Sequence, residues 1–321
     1  MQWEKMGQVF DPRNSGMRWM AEFAQAPATL VLNDAVRVYF SCRAKPEADG
    51  QYISRLGYVE LDRTDLTSII GMSKIPVMEL GGLGEFDEFG TYIMSVTTLP
   101  GFYGGPISYY AGFSRRTSTR FDTAIGMAHS EDGGETFQKL GKGPVIGASI
   151  TEPYVLSGPK VRKFGNRYYM FYIAGSKWTM MDGRTEPVYK IRLATSTGGL
   201  IWTCYGRNLI EDALGEDEAQ SGPDVHLGAD GIYHMFFCFR PVGHHPGRDG
   251  GLRIGYAYSD DLLHWTRDDA RAGITVSDDP AAWDYGMVRY PHVFWLDGRE
   301  YMLYNGNEFG RWGFGLARRI A

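Results

Sequence analysis

Arg253-Ile254-Gly255-Tyr256-Ala257 is one of five copies of a short phrase along the chain. The others are Arg55-Leu56-Gly57-Tyr58-Val59, Ala124-Ile125-Gly126-Met127-Ala128, Ile191-Arg192-Leu193-Ala194 and Gly313-Phe314-Gly315-Leu316-Ala317. With Gly57, Gly126, Leu193, Gly255 and Gly315 as markers, the copies lie 69, 67, 62 and 60 residues apart. A period of that size, carried by β-forming residues, marks a small sheet repeated around a ring.

The text around each copy supplies the rest of the sheet. Upstream runs such as Ala28 to Ser41 and Arg167 to Ala174 are rich in Val, Tyr, Phe and Met. Asn33-Asp34, Gly165-Asn166, Asp230-Gly231 and Asp297-Gly298 break such runs with tight hairpin signals. Downstream come turns ending in an aromatic that starts a fourth strand: Ser130 to Phe137, Ser196 to Trp202 and Ser259 to Trp265. Four strands per unit is the arrangement of a propeller blade. The fifth unit stops at Ala321 without room for its fourth strand. Trp3-Glu4-Lys5-Met6-Gly7 resembles the fourth-strand text Phe137-Gln138-Lys139-Leu140-Gly141, so the N-terminus is expected to close the ring. The reading is an all-β chain, a single five-bladed β-propeller domain over residues 1–321.

Composition agrees and narrows function. The 321 residues are 43% hydrophobic, enough for a large core, and the net charge of −5 argues against nucleic acid as partner. The 14% aromatic content suits sheets and also sugar rings. Met1 to Phe10 shows no apolar signal-peptide core, and no apolar run is long enough to span a membrane. Cys42, Cys204 and Cys238 are odd in number and far apart, without metal or disulfide spacing. A soluble cytoplasmic protein is expected, with no metal, no cofactor and no membrane partner. The oligomeric state is open.

In a propeller the starts of the innermost strands gather at one mouth of the channel. Those segments hold Gln25-Ala26-Pro27, Glu85 to Tyr92, Glu152-Pro153 with Ser157-Gly158-Pro159-Lys160, Ser221-Gly222-Pro223-Asp224, and Arg289-Tyr290-Pro291-His292. Second strands end at Arg43, near Tyr110, at Lys177, at Arg240 and at Asn305 to Glu308. Asp87, Asp224 and Glu308 with Arg43, Lys177, Arg240 and Arg289 are therefore expected at one mouth. That set suits a polyhydroxylated or anionic small molecule.

On these motifs the chain resembles the five-bladed propellers of the arabinanase, invertase and levansucrase group. That group comprises glycoside hydrolase families 43, 32, 62 and 68, with family 130 as a relative. The resemblance implies a glycosidase-like enzyme of carbohydrate or polysaccharide metabolism. In family 43 an Asp-Pro opens blade one, an Asp opens blade two, and a Glu precedes Gly-Pro in blade three. Here the first position holds Ala26 before Pro27, and the third holds Ser157 before Gly158-Pro159. Asp87 is the acid that matches.

Asp87, Asp224, Glu152 and Glu308 remain as candidate catalytic acids. Asp87 has a strand-start cap as its plain alternative, and Glu152 and Glu308 have that of loop acids; Asp224 is expected in the site, as a hydroxyl-binding carboxylate. Arg43, Lys177, Arg240, Arg289, His292, Tyr110 and Gln25 are the candidate substrate-binding residues, with stacking on Tyr or Trp, or pairing with the acids, as the plain alternative for Arg43 and Arg240. His244-His245 lie in a Gly/Pro-rich loop, a flap or simply surface. Ser130 to Phe137 fits the Asp-box of sialidases, a turn staple that signals propeller geometry and not sialic-acid chemistry. The expected function is cleavage or transfer of a glycosyl unit of an intracellular glycan, sugar phosphate or activated sugar. A carbohydrate-binding propeller without hydrolase chemistry is the alternative, and a protein-interaction scaffold comes third.

Overall fold

The computed structural model describes the chain except residues 49, 100–103, 244–250 and 321. His244 and His245 lie outside the described residues. Five antiparallel four-stranded sheets stand around an axis. Blade one is Glu22–Val31, Ala35–Arg43, Ser54–Asp62 and Ile69–Met72. Blade two is Thr91–Thr98, Pro106–Arg115, Phe121–His129 and Gln138–Lys139. Blade three is Leu156–Phe164, Arg167–Met181, Arg184–Ser196 and Thr203–Cys204. Blade four is Glu218–Leu227, Tyr233–Pro241, Arg253–Ser259 and Thr266–Arg267. Blade five takes Arg289–Leu296, Arg299–Asn305 and Phe314–Arg319 from the end of the chain and Trp3–Phe10 from its start. The closing pair runs from Trp3 opposite Arg319 to Phe10 opposite Phe314. The repeated phrase is the third strand throughout, as its Gly-aromatic-Ala text predicts.

The core lies between blades. Five large apolar clusters each join two neighbours; Phe10, Phe40, Phe294 and Phe314, for example, join blades five and one. The turn before the fourth strand adds polar staples across the same gaps. In blade two Ser130 Oγ accepts from Gly134 N, freeing the Gly134 carbonyl to accept from Tyr39 of blade one at 2.6 Å.

Each inner strand begins with the same distortion. Ala26, Ile93, Gly158, Gly222 and Tyr290 have φ of 53°, 36°, 61°, 57° and 50°. The strand pairing slips at each of these points. Proline follows four of the five, where the ladder is already broken and no N–H is required. Three of the displaced N–H groups reach the preceding blade: Ala26 to Asn305 Oδ1 at 2.8 Å, Ile93 to Ser41 Oγ at 2.8 Å, and Tyr290 to Cys238 Sγ at 2.9 Å. The bulges thus lock blade to blade and aim side chains at the axis, where Ala26, Ile93 and Tyr290 pack together.

Candidate active site at the channel mouth

Directly above these bulges the mouth is lined by cations laid on aromatic rings. Arg43 lies over Phe23, 4.3 Å from its centroid, and also faces Tyr52 and Tyr92. Tyr92 and Tyr290 join hydroxyl to hydroxyl at 3.0 Å. Arg289 lies 3.8 Å over Tyr290 and 4.6 Å from Phe309, and Arg240 approaches Phe309 from 6.0 Å. Gln25 ties the group, accepting from Arg43 Nη2 at 2.9 Å and donating to the Phe309 carbonyl. The structure thus brings together Arg43, Arg240, Arg289 and Gln25 of the expected binding set.

Backbone strain concentrates here too. Nine described non-glycine residues have positive φ, and six of them belong to this mouth: Phe23, Ala26, Ile93, Tyr290, Glu308 and Phe309. Left-handed conformations cost these residues about 1–3 kcal/mol each, and such positions cluster at ligand sites.

Arg289 is the most telling member. It is 5% exposed, and its Nε and Nη1 have no hydrogen-bond partner among the described residues. A buried guanidinium with open donors is costly unless something anionic completes it. Burial, followed by the charge of Arg289, lowers the pKa of Arg240, as expected when two like charges face one opening. Among the described residues two acids reach this rim through Arg311, and the charge of Glu186 also acts on Arg240. Glu22 Oε1 accepts from Arg311 Nη2 at 2.9 Å, and Glu308 Oε2 accepts from Nη1 at 3.3 Å. Glu22 also accepts from Tyr52, and Glu308 from Trp312 Nε1 at 3.2 Å. Burial pushes Glu22 up, but Arg311 and Tyr52 outweigh it, so its pKa lies below the ordinary value. Glu22, Phe309 and Tyr290 were not singled out in the sequence. For Glu22 and Tyr290 the only available signal was position at a strand start, and Phe309 had none.

The remaining expected residues stand elsewhere. Asp87 is fully buried inside blade two, accepting from Tyr110 Oη at 2.9 Å and pairing with Lys139 Nζ at 2.5 Å. Glu152 accepts from Tyr172 Oη at 2.8 Å in blade three, where Cys204 of the fourth strand faces it. Asp284 repeats the arrangement in blade five, with Tyr304 at 3.2 Å and Lys5 at 2.6 Å. All three acids precede the bulge of their own blade by six residues. Blade one has Met20 and Phe40 at the matching places, both fully buried. Lys177 extends along the long hairpin of blade three and pairs with Asp217 at 2.5 Å, its side chain 47% exposed.

Asp224 and His292 belong to a second ring, two residues beyond the bulges: Ala28, Ser95, Lys160, Asp224 and His292. Three of these accept an N–H from the next blade. Val161 donates to Ser95 Oγ at 3.0 Å, Val293 to Asp224 Oδ2 at 2.5 Å, and Thr29 to His292 Nε2 at 3.0 Å. The Thr29 N–H makes Nε2 an acceptor, so Nδ1 carries the imidazole proton, facing Asp224 Oδ2 at 3.2 Å and Lys160 Nζ at 2.9 Å. Arg162 Nη2 donates to the other oxygen of Asp224 at 2.6 Å. Burial pushes His292 down to about 4 and Lys160 down to about 8. Burial would raise Asp224, but Arg162, Lys160 and His292 hold it well below the carboxylate range.

Among the described residues no group of three or more His, Cys, Asp or Glu side chains is arranged to hold a metal ion. No described helix is long and apolar enough to cross a membrane.

No family model matches the chain. Among solved structures, it is similar to a family-43 glycoside hydrolase described as thermostable (TM-score 0.61, 14% identity, 100% of this chain and 93% of that one). It is also similar to an endo-arabinase from Bacteroides thetaiotaomicron (0.61, 13%, 99% and 98%). A third likeness is to a structure from family 130, a family of mannoside phosphorylases that contains glycoside hydrolases targeting β-1,2 mannosidic linkages in Candida mannan (0.69, 15%, 99% and 90%). These likenesses establish the glycoside-hydrolase propeller as the fold. In sequence it is 33% identical over 318 residues, 99% of both chains, to the uncharacterized proteins MT1551 and Rv1502 of Mycobacterium tuberculosis strains CDC 1551 and H37Rv. The chain belongs to the family of these two mycobacterial proteins, built on the five-bladed propeller shared by the glycoside hydrolases.

Proposed function

We propose that this protein cleaves or transfers a glycosyl unit at the channel mouth, with a phosphate group held by Arg43, Arg240 and Arg289. The observation that carries this reading is Arg289, buried on two aromatic rings with donors left open. Three guanidiniums at one opening suit the bidentate geometry of a phosphate, and the tyrosines and Phe309 suit a sugar ring. The scarcity of unengaged carboxylates supports phosphate as reactant as well as substituent. Hydrolysis by inversion requires one acid for the leaving oxygen and one base for water. In phosphorolysis a phosphate oxygen attacks the anomeric carbon as the glycosidic C–O bond breaks, so one protonating group suffices. Glu308, half-exposed at the rim, is the proposed donor of the proton to the leaving oxygen. Asp87 and Glu152 are proposed to tie strands within their own blades and Asp224 to join blade four to its neighbours, none of the three touching substrate.

Three free thiols, one of them exposed, suit a reducing cytoplasm and an intracellular glycan or sugar phosphate. The engagement of Glu22 and Glu308 with Arg311 favours one second reading, a propeller that binds such a sugar without turnover.

The test is calorimetry with inorganic phosphate and glucose 1-phosphate, alongside a screen of aryl glycosides with and without phosphate. The expected result is binding that falls about tenfold to a hundredfold in Arg289→Gln, since hydrogen bonds to charged groups contribute about 1.5–3 kcal/mol. Phosphate-dependent release should disappear in Glu308→Gln. Binding without release would leave the second reading. No binding of either probe, or equal binding by Arg289→Gln, would sink both.

A further inference from the structure

At the opposite face of the ring, between blades four and five, lies a cavity of about 610 Å³. Its walls come from the inner hairpins of the two blades and the end of the last strand, the strand ends farthest from the mouth. Trp295 lines it on the innermost strand of blade five, with 47% of its surface exposed. Polar side chains stand among the apolar surface of its walls. Glu300, 4% exposed, accepts from Arg319 Nη1 at 2.6 Å and faces His226 Nε2 at 2.8 Å. His234, 3% exposed, meets Tyr256 Oη at 2.6 Å and Asp230 at 3.2 Å. His226 is nine-tenths buried beside it, and its Nδ1 has no partner. Arg299 and Arg318 stand at the lip, and Arg318 pairs with Glu4 at 2.6 Å.

We propose that this cavity is a second, non-catalytic saccharide site, taking a sugar that carries an anionic substituent. Trp295 supplies the flat apolar face on which a sugar ring lies. Glu300, Asp230 and the His234 imidazole supply polar partners for hydroxyl groups, and Arg299 and Arg318 face the anionic substituent. A fully apolar or fully ion-paired surface would need no ligand. Here an open indole, the carboxylates of Asp230 and Glu300 and the lip arginines Arg299 and Arg318 border one volume that can hold a mono- or disaccharide. The site would hold a second part of a long glycan, or a product, while the mouth works. It uses no residue of the mouth, so it stands apart from the reading given above.

The test uses the full chain and four probes, glucuronic acid, glucose 6-phosphate, glucose and AMP, followed by calorimetry and saturation-transfer NMR. Trp295 and Arg299 are surface residues, so Trp295→Ala and Arg299→Ala should fold, which circular dichroism checks. Trp295→Ala is expected to weaken one binding event for the two acidic sugars at least tenfold and leave any mouth event unchanged. Arg299→Ala should lower the preference for those sugars over glucose about threefold or more. Arg289→Gln should weaken any mouth event and leave this site intact, so a mouth event unchanged in Arg289→Gln would count against the mouth reading only. Acidic-sugar binding that is the same in Trp295→Ala as in the parent would overturn the proposal. Preference for AMP over every sugar would overturn its ligand class.

Discussion

The acids inside the blades and the arginines at the mouth are both buried charges, handled in opposite ways. Asp87 and Asp284 each have a tyrosine and a lysine, so the opposite charges are paired within one sheet, although Asp87 Oδ1 has no hydrogen-bond partner among the described residues. Blade one replaces the arrangement with Met20 and Phe40 and pays nothing for unpaired groups. Either solution avoids a lone buried charge, because a carboxylate beside a lysine is paired and an apolar set needs no pairing. Arg289 has neither. The contrast separates charges that finish the fold from a charge that waits for something outside it.

The largest effect is expected from breaking a finished set. Asp87→Ala leaves Lys139 buried without its carboxylate, which should cost about 3–5 kcal/mol. Urea unfolding with an unchanged m-value measures it; an unaltered midpoint together with lost activity would instead make Asp87 a chemical group. Next comes pH. His292, held down to about 4 by burial, stays neutral in the fold but takes up a proton near its ordinary value of 6.5 once unfolded. Asp224, held low, behaves in the same sense at lower pH. The unfolded state therefore binds more protons, and stability should fall as pH drops from about 6.5 towards 4. Unfolding midpoints between pH 7 and 4.5 read this directly, and a flat profile would refute the burial of a neutral His292.

Smaller effects probe the mouth itself. Arg289→Met should leave stability level or raise it by up to about 1 kcal/mol, since it removes an unmatched charge and keeps the stacking bulk. A fall of several kcal/mol would mean that Arg289 is a structural partner after all. Ser41→Ala removes the acceptor of the Ile93 N–H and should cost about 1 kcal/mol. Thermal unfolding would show whether the bulge is held by that bond.

The ring and its closure were legible because a sheet repeat imprints period, turn residues and fourth-strand aromatics on the chain. Trp3 to Gly7 could be matched to Phe137 to Gly141 for that reason. The cationic half of the site was legible as well, since Arg43, Arg240 and Arg289 end or begin strands that must converge. The acids were harder. Asp87 and Glu152 look like catalytic candidates one blade at a time. Their equal offset from the bulge is shared with Asp284, and that repetition is what supports the proposal of a structural role. That offset is hidden until the bulges are located, because Ile93 lacks the following proline that marks the other four. Phe309 was hidden for another reason: its place over Arg240 and Arg289 depends on two successive left-handed residues that no residue type announces.

The pairing of Trp3–Phe10 with Phe314–Arg319 also fixes an order of assembly. During synthesis the first strand made is the last to find its partner, and it travels as an open edge while four blades form behind it. Blade five then takes shape only when both ends of the chain meet, so the mouth residues Arg289, Tyr290 and Phe309 are organised late. A chain relinked at its termini and reopened in a turn between two blades would form each sheet from one continuous stretch. It should fold faster, with the same ring at the end.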